Sequence, residues 1–166
     1  MYDEIIMKKV HIKDSEKIYR IILECAQWLK SRGIKQWNPP YPKELFKKDI
    51  SEGKVYYFVS SGKIVGTATL SKNKPFYYPK NIWSSDADVL YLTKFSVPRK
   101  LKNLGIGKKL LVEIGKRAKT SKIKKIRLDV PDYNKKLINY YFESGFIPVK
   151  KASIKITPSV LMEKQV

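Results

Sequence analysis

The sequence predicts an α/β protein: a single domain over residues 1–166, built on a mixed, twisted β-sheet with helices on both faces. Three observations lead there. Segment 89–130 reads strand–helix–strand, and two strands of one sheet joined by a helix must run parallel through a right-handed crossover. Hairpin signals, which are antiparallel, flank that unit. The length of 166 residues and the hydrophobic fraction of 43% fit one core and leave little room for a second.

Taken in order, residues 4–11 (EIIMKKVH) read as a strand. Asp14 or Ser15 can cap the next element, where Ile18, Ile21, Ile22, Cys25, Trp28 and Leu29 recur at helical spacing until Gly33 ends the run. Residues 34–42 (IKQWNPPYP) form a proline-rich loop, and a short helix fills 43–51, closed by Gly53. Residues 55–60 and 63–70 are strands around the turn signal Ser61-Gly62. Residues 71–88 contain two prolines and four aromatics; a loop this long in a compact domain is functional or disordered. Residues 89–97 (VLYLTKFSV) are the clearest strand. A glycine-containing turn follows, then a helix with Leu110, Leu111, Ile114 and Ala118 on one face. Residues 123–130 form another strand. Asn134 caps a helix carrying Leu137, Ile138, Tyr141 and Phe142, and Gly145 ends it. Residues 146–150 and 154–162 close the chain as two strands.

Composition narrows the class. No apolar run approaches the ~20 residues that span a bilayer, and the charged N-terminus MYDEIIMKKVHIKD does not read as a signal peptide. The single cysteine, Cys25, excludes an intramolecular disulfide framework and a cysteine-rich metal site. A cytoplasmic protein without membrane partner or metal is expected. The net charge of +20 suits a polyanionic partner, but only five residues are arginine (Arg20, Arg32, Arg99, Arg117, Arg127), and the lysines are spread along the whole chain. A nucleic-acid reader is expected to use arginine for bidentate base contacts. Compositional bias is therefore the preferred reading, and the positive field would in either case attract a polyphosphate ligand.

The chemistry-bearing segment is Val97-Pro98-Arg99-Lys100-Leu101-Lys102-Asn103-Leu104-Gly105-Ile106-Gly107-Lys108, between a strand and a helix. The first N–H groups of a helix lack internal partners, glycines let backbone approach a ligand, and the helix dipole adds positive charge. Together these suit a pyrophosphate, with Lys100, Lys102 and Lys108 adding formal charge. The spacing fits neither the Walker pattern nor the dinucleotide pattern. Downstream, Asn134 and Tyr141 lie about two turns apart on one helix face, before Gly145-Phe146. Taken alone, Tyr141 reads as a core aromatic.

Together, the strand VLYLTKFSV, the turn KNLGIGKK and the run PDYNKKLINYYFESGF resemble the GNAT superfamily of N-acetyltransferases. That family's turn, Arg/Gln-x-x-Gly-x-Gly/Ala, is matched by Lys102-Asn103-Leu104-Gly105-Ile106-Gly107, and its later Asn, Tyr and Gly-Phe by Asn134, Tyr141 and Gly145-Phe146. The stretch Trp28–Trp37 also looks like one seen in some bacterial members. Position 102 departs from the pattern: lysine keeps a donor but loses arginine's planar fork, which implies a changed affinity for pyrophosphate.

The resemblance implies transfer of an acetyl group from acetyl-CoA to a primary amine by direct attack on the thioester. Acetyl-CoA would lie between strands 89–97 and 123–130, its pantetheine paired to Phe95, Ser96 and Val97 and its pyrophosphate on Lys102, Asn103, Leu104, Gly105, Ile106, Gly107 and Lys108. Tyr141 would be the proton donor, and Asn134 would bind cofactor or order its helix. Base candidates are Asp86, Asp88 and Asp129; because Asp129 alternates with Arg127 along its strand, it also reads as an ordinary surface residue. Trp37, Trp83, Tyr77 and Tyr78, all in loops, and Asp129 are candidates for the acceptor pocket. Two other readings stand beside this one: a non-catalytic acyl-CoA sensor and a basic nucleic-acid-binding module. A homodimer is left open.

Overall fold

In the computed structural model, which describes residues 2–166, the elements follow the expected order. They are β1 (Ile6–Lys9), α1 (Ser15–Ser31), α2 (Lys43–Ser51), β2 (Val55–Ser60), β3 (Lys63–Ser71), β4 (Val89–Ser96), α3 (Ile106–Thr120), β5 (Lys125–Pro131), α4 (Lys135–Glu143), β6 (Ile147–Ile154) and β7 (Thr157–Gln165). Short 3-10 turns occupy Ile12–Asp14 and Arg99–Leu101. The strands form one mixed sheet in the order β1-β2-β3-β4-β5-β7-β6. β4 and β5 are parallel, Val89 opposite Lys125 through Tyr91 opposite Arg127, as the helical crossover requires.

The chain divides into two compact units. One contains the residues up to Leu70 together with Thr93–Glu113. In it β1, β2 and β3 form an antiparallel meander. Ile18, Tyr19 and Ile22 of α1 and Phe46 and Ile50 of α2 bury against Val10 and Val55, with Trp37 and Tyr41 packed on this core. Gly66 of β3 is a close approach, because a Cβ there would collide with Leu110 of α3 and stand 3.0 Å from the Ser96 carbonyl oxygen.

The other unit contains Ser71–Leu92 and Ile114–Val166. β5 and β6 flank β7, both antiparallel to it. The long segment 71–88 is ordered by burial: Tyr78, Ile82 and Trp83 join Val89, Tyr91, Ile154 and Leu161 in a common core.

Three expectations at element ends are corrected. The first strand is shorter than 4–11, because the chain winds into the 3-10 turn at Ile12. Asp14 stands at the N-cap of α1, but its side chain makes no capping bond. The last hairpin turns at Lys155-Ile156, so 151–153 are strand; Lys155 takes a positive φ of 56° there without a glycine or asparagine to signal it.

Candidate active site

The glycine turn lies in the first unit. β4 ends at Ser96, Pro98 precedes the 3-10 turn, and α3 starts at Ile106. Asn103 and Gly105 have φ of 61° and 71°, left-handed values that double the chain back before the helix. Lys102, Asn103, Leu104, Gly105 and Lys108 are exposed, Gly107 is half-buried, and Ile106 anchors the turn in the core. A Cβ at Gly105 would meet nothing within 4 Å, so the space over the turn is open. Open space, helix-start N–H groups and lysine charge together fit a phosphate group. Phe95 and Val97 are half-buried and Ser96 buried. Lys94, just before them, has φ of 49°, which breaks the regular course of β4.

The tyrosine and carboxylate candidates lie in the second unit. Asn134 caps α4, its Oδ1 accepting from the Leu137 N–H at 3.1 Å. Two turns on, Tyr141 is 7% exposed, its ring edge-on to Tyr140 and Phe146, both at 5.5 Å. Burial raises the Tyr141 pKa, and the charges of Tyr140 and Asp129 add to it. Tyr141 thus keeps its proton at neutral pH and lies within electrostatic reach of Asp129.

Arg127 and Asp129 share one face of β5; Arg127 is buried and Asp129 half-buried, so Asp129 is not the ordinary surface residue that its alternation with Arg127 also allowed. The Tyr78 hydroxyl donates to Asp129 Oδ1 at 2.5 Å. Burial raises the Asp129 pKa, opposed by that hydrogen bond, by a backbone hydrogen bond and by the charge of Lys155. The Arg127 side chain is 3% exposed. Its Nε donates to Glu163 at 2.8 Å, and its Nη1 donates to the Ser85 carbonyl, to Asp86 at 3.4 Å and to the Tyr91 hydroxyl at 3.3 Å. Tyr91 donates in turn to Asp86; burial foremost, then that bond, pushes its pKa up to about 12. Alternation along β5 pointed outward because the covering segment, 71–88, is distant in sequence and reads as loop.

The aromatic candidates fall into the two cores. Trp37 packs on the α1–α2 core of the first unit, with φ of 60°. Trp83 is buried in the second, its ring 4.1 Å from the Arg127 guanidinium. Tyr77 stands edge-on to Tyr78 at 5.4 Å, and the Lys155 ammonium lies 5.1 Å from its ring. Asp86 is committed to Arg127 and Tyr91, and Asp88 is an exposed partner of Lys124 at 3.4 Å. A shallow concavity at Asp3, Glu4, Ile6, Val59, Ser61 and Gly62 includes none of these candidates. Among the described residues no group of three or more His, Cys, Asp or Glu could hold a metal ion, and no helix is long and apolar enough to cross a membrane.

A mixed sheet with the parallel pair β4–β5, a glycine turn opening the crossover helix and a buried tyrosine in the next helix define an α/β protein whose turn suits a phosphate-bearing ligand. The description "Acetyltransferase (GNAT) family" matches residues 16–146, and the chain belongs to that family; it is an acetyltransferase. It is 23% identical over 139 residues to the uncharacterized N-acetyltransferase YesJ of Bacillus subtilis (strain 168), covering 81% of this chain and 77% of that protein. Among solved structures, an acetyltransferase of the GNAT family from Listeria monocytogenes 4b F2365 superposes with a TM-score of 0.83 at 22% identity, over 98% of this chain and 95% of that one. The PaiA N-acetyltransferase of Thermoplasma acidophilum, solved in complex with coenzyme A, gives 0.71 at 22% identity over 98% and 99%. At these identities the structural likeness speaks to the fold.

Proposed function

We propose that the protein is an N-acetyltransferase that moves an acetyl group from acetyl-CoA to a primary amine by direct attack. The observation that carries this reading is the exposed glycine turn that opens α3, with open space over Gly105; to it the chain adds a buried phenol, Tyr141, and a carboxyl, Asp129, that accepts from Tyr78. Acid–base catalysis of aminolysis needs this complement, one group to take a proton and one to give. The coenzyme A complex of the Thermoplasma acidophilum relative supports the choice of donor.

Acetyl-CoA supplies the acetyl group as a thioester. The turn from Lys102 to Lys108 holds its pyrophosphate through helix-start N–H groups and lysine charge. Phe95, Ser96 and Val97 offer backbone groups to the pantetheine. Asp129 takes the proton from the amine, and Tyr141 gives its own to the departing sulfur. Asn134 orders the first turn of α4 and so holds the register of Tyr141. Lys102 meets the pyrophosphate as a point charge where the family's arginine would use a fork.

Calorimetry with acetyl-CoA, comparing wild type with a folded Gly105→Asp/Gly107→Asp variant, tests the donor. Micromolar binding that the variant loses is the expected result. Absence of binding by folded wild type would sink the reading. Once an amine panel yields an acceptor, Tyr141→Phe should lower kcat about 10²-fold with acetyl-CoA affinity nearly intact. Unchanged turnover would remove Tyr141 from the mechanism.

A further inference from the structure

Trp28, Arg32 and Arg99 form a cluster that the transfer chemistry above leaves unused. Cys25, Trp28 and Arg32 follow at intervals of three and four, so they lie along one side of α1 and its C-terminal end. Cys25 Sγ approaches the Val97 carbonyl oxygen at 3.4 Å, fastening that side of α1 to the end of β4. Arg99 comes two residues after Val97, and its guanidinium carbon stands 3.8 Å from the Trp28 ring centroid. The Arg32 guanidinium stands over the same ring at 5.3 Å.

Cation–π attraction accounts for one arginine on an indole, and the C-terminal end of α1 favours a cation at Arg32. Neither accounts for two guanidiniums on one ring with no carboxylate partner among the described residues. Arg99 Nε is buried and has no hydrogen-bond partner. A buried, charged N–H without an acceptor is costly, and such groups call for an explanation. The chain can satisfy an arginine stacked on tryptophan: Arg127, over Trp83, has Glu163, Asp86, Tyr91 and the Ser85 carbonyl. Arg32 is exposed and Arg99 half-buried, so a small group can reach the pair from solvent.

We propose that Arg32 and Arg99, braced on Trp28, bind an oxyanion, carboxylate or phosphate, carried by one of the two substrates of the transfer reaction. The guanidinium fork matches both groups. Arg99 stands between Val97 and Lys102, both given to acetyl-CoA above, so the assignment to a substrate rests on that reading. Two sources have the chemistry: a carboxylate on the amine acceptor and the 3′-phosphate of the coenzyme.

The site itself is tested without turnover. Arginine Nε–H signals are followed by NMR while inorganic phosphate is added; five arginines give a sparse spectrum. Arg99 should shift saturably and Arg127 should not. No saturable shift at Arg99 overturns the proposal, whatever the enzyme's activity. The source is then read with wild type and Arg32→Gln/Arg99→Gln. If the acceptor brings the oxyanion, wild-type KM for an amino acid is at least ten-fold below that for its amide, and the variant loses the difference. If the coenzyme brings it, wild type binds acetyl-CoA at least ten-fold tighter than its 3′-dephospho form, and the variant equalises them. Neither preference in an active wild type overturns the assignment to a substrate. If the double variant does not fold, Arg99→Lys keeps the charge, removes the fork and should weaken the same preference. An inactive wild type that binds no acetyl-CoA, with Arg99 still shifting in phosphate, would fault the transfer reading and leave the oxyanion site standing.

Discussion

Two arginine–tryptophan stacks occur in this protein, and they are finished differently. Arg127 lies over Trp83 with its donors spent on Glu163, Asp86, Tyr91 and a backbone carbonyl. Arg99 lies over Trp28 with a second arginine beside it and no acid. A guanidinium inside its own set of acceptors belongs to the framework, since it ties segment 71–88 to β5 and β7. A guanidinium left without them keeps its binding capacity for a ligand. The same contrast separates the carboxylates. Asp86 has Arg127 at 3.4 Å, whereas Asp129 has a neutral tyrosine and a raised pKa.

The largest expected effect tests the finished stack. Arg127→Gln removes the buried cation of Glu163 and leaves it only the partly exposed Lys125 at 3.4 Å, and breaking a buried pair costs about 3–5 kcal/mol. Urea unfolding reads this directly; a loss below about 1 kcal/mol would show the network to be ornamental. Arg99→Gln, by contrast, should change stability by less than about 1 kcal/mol, the range of a partly exposed cation–π contact. Equal losses at the two arginines would erase the distinction between them.

Next comes Asp129→Asn, which keeps an acceptor for Tyr78 and removes the proposed base. We expect kcat/KM to fall about 10²-fold or more, with acetyl-CoA affinity changed by less than about threefold. Its pH dependence sharpens the point. Burial holds the folded-state pKa of Asp129 above the ordinary value of 3.8. The folded protein therefore binds that proton more tightly than the unfolded chain does. Stability contributed by this group falls as pH rises from the unfolded pKa through the folded one, then stays level. The Asn variant should accordingly gain on wild type between about pH 4 and pH 7, as read from thermal midpoints at both ends. A difference independent of pH would mean that the carboxyl is not desolvated.

The smallest effect is at Tyr78. Its hydroxyl favours the charged form of Asp129, so Tyr78→Phe should move the acidic limb of the kcat/KM profile to higher pH. It should also cost about 1 kcal/mol for the lost hydrogen bond. An unmoved limb would assign the limb to another group.

Much of the fold was legible because its signals are local. Ser61-Gly62 between alternating strands marks a hairpin, and it forms as read. Asn134 before an apolar stripe marks a helix start, and its side chain caps α4. The Lys155-Ile156 turn was missed because it lacks the residues that usually pay the cost of a positive φ. Asp129 also read as an ordinary surface residue because period-2 alternation reports which face of a strand a residue takes, not what later covers that face.

The sequence by itself determined the element order, the parallel crossover, the glycine turn and the family, all of which rest on residues close together along the chain. Only the tertiary structure decided that segment 71–88 packs over β5, that Tyr78 finds Asp129 51 residues away, and that Arg127 is satisfied while Arg99 is not. The reason is physical: local propensity is set by neighbours in sequence, but burial, and with it the pKa of a carboxyl and the satisfaction of a guanidinium, is set by distant segments brought into contact.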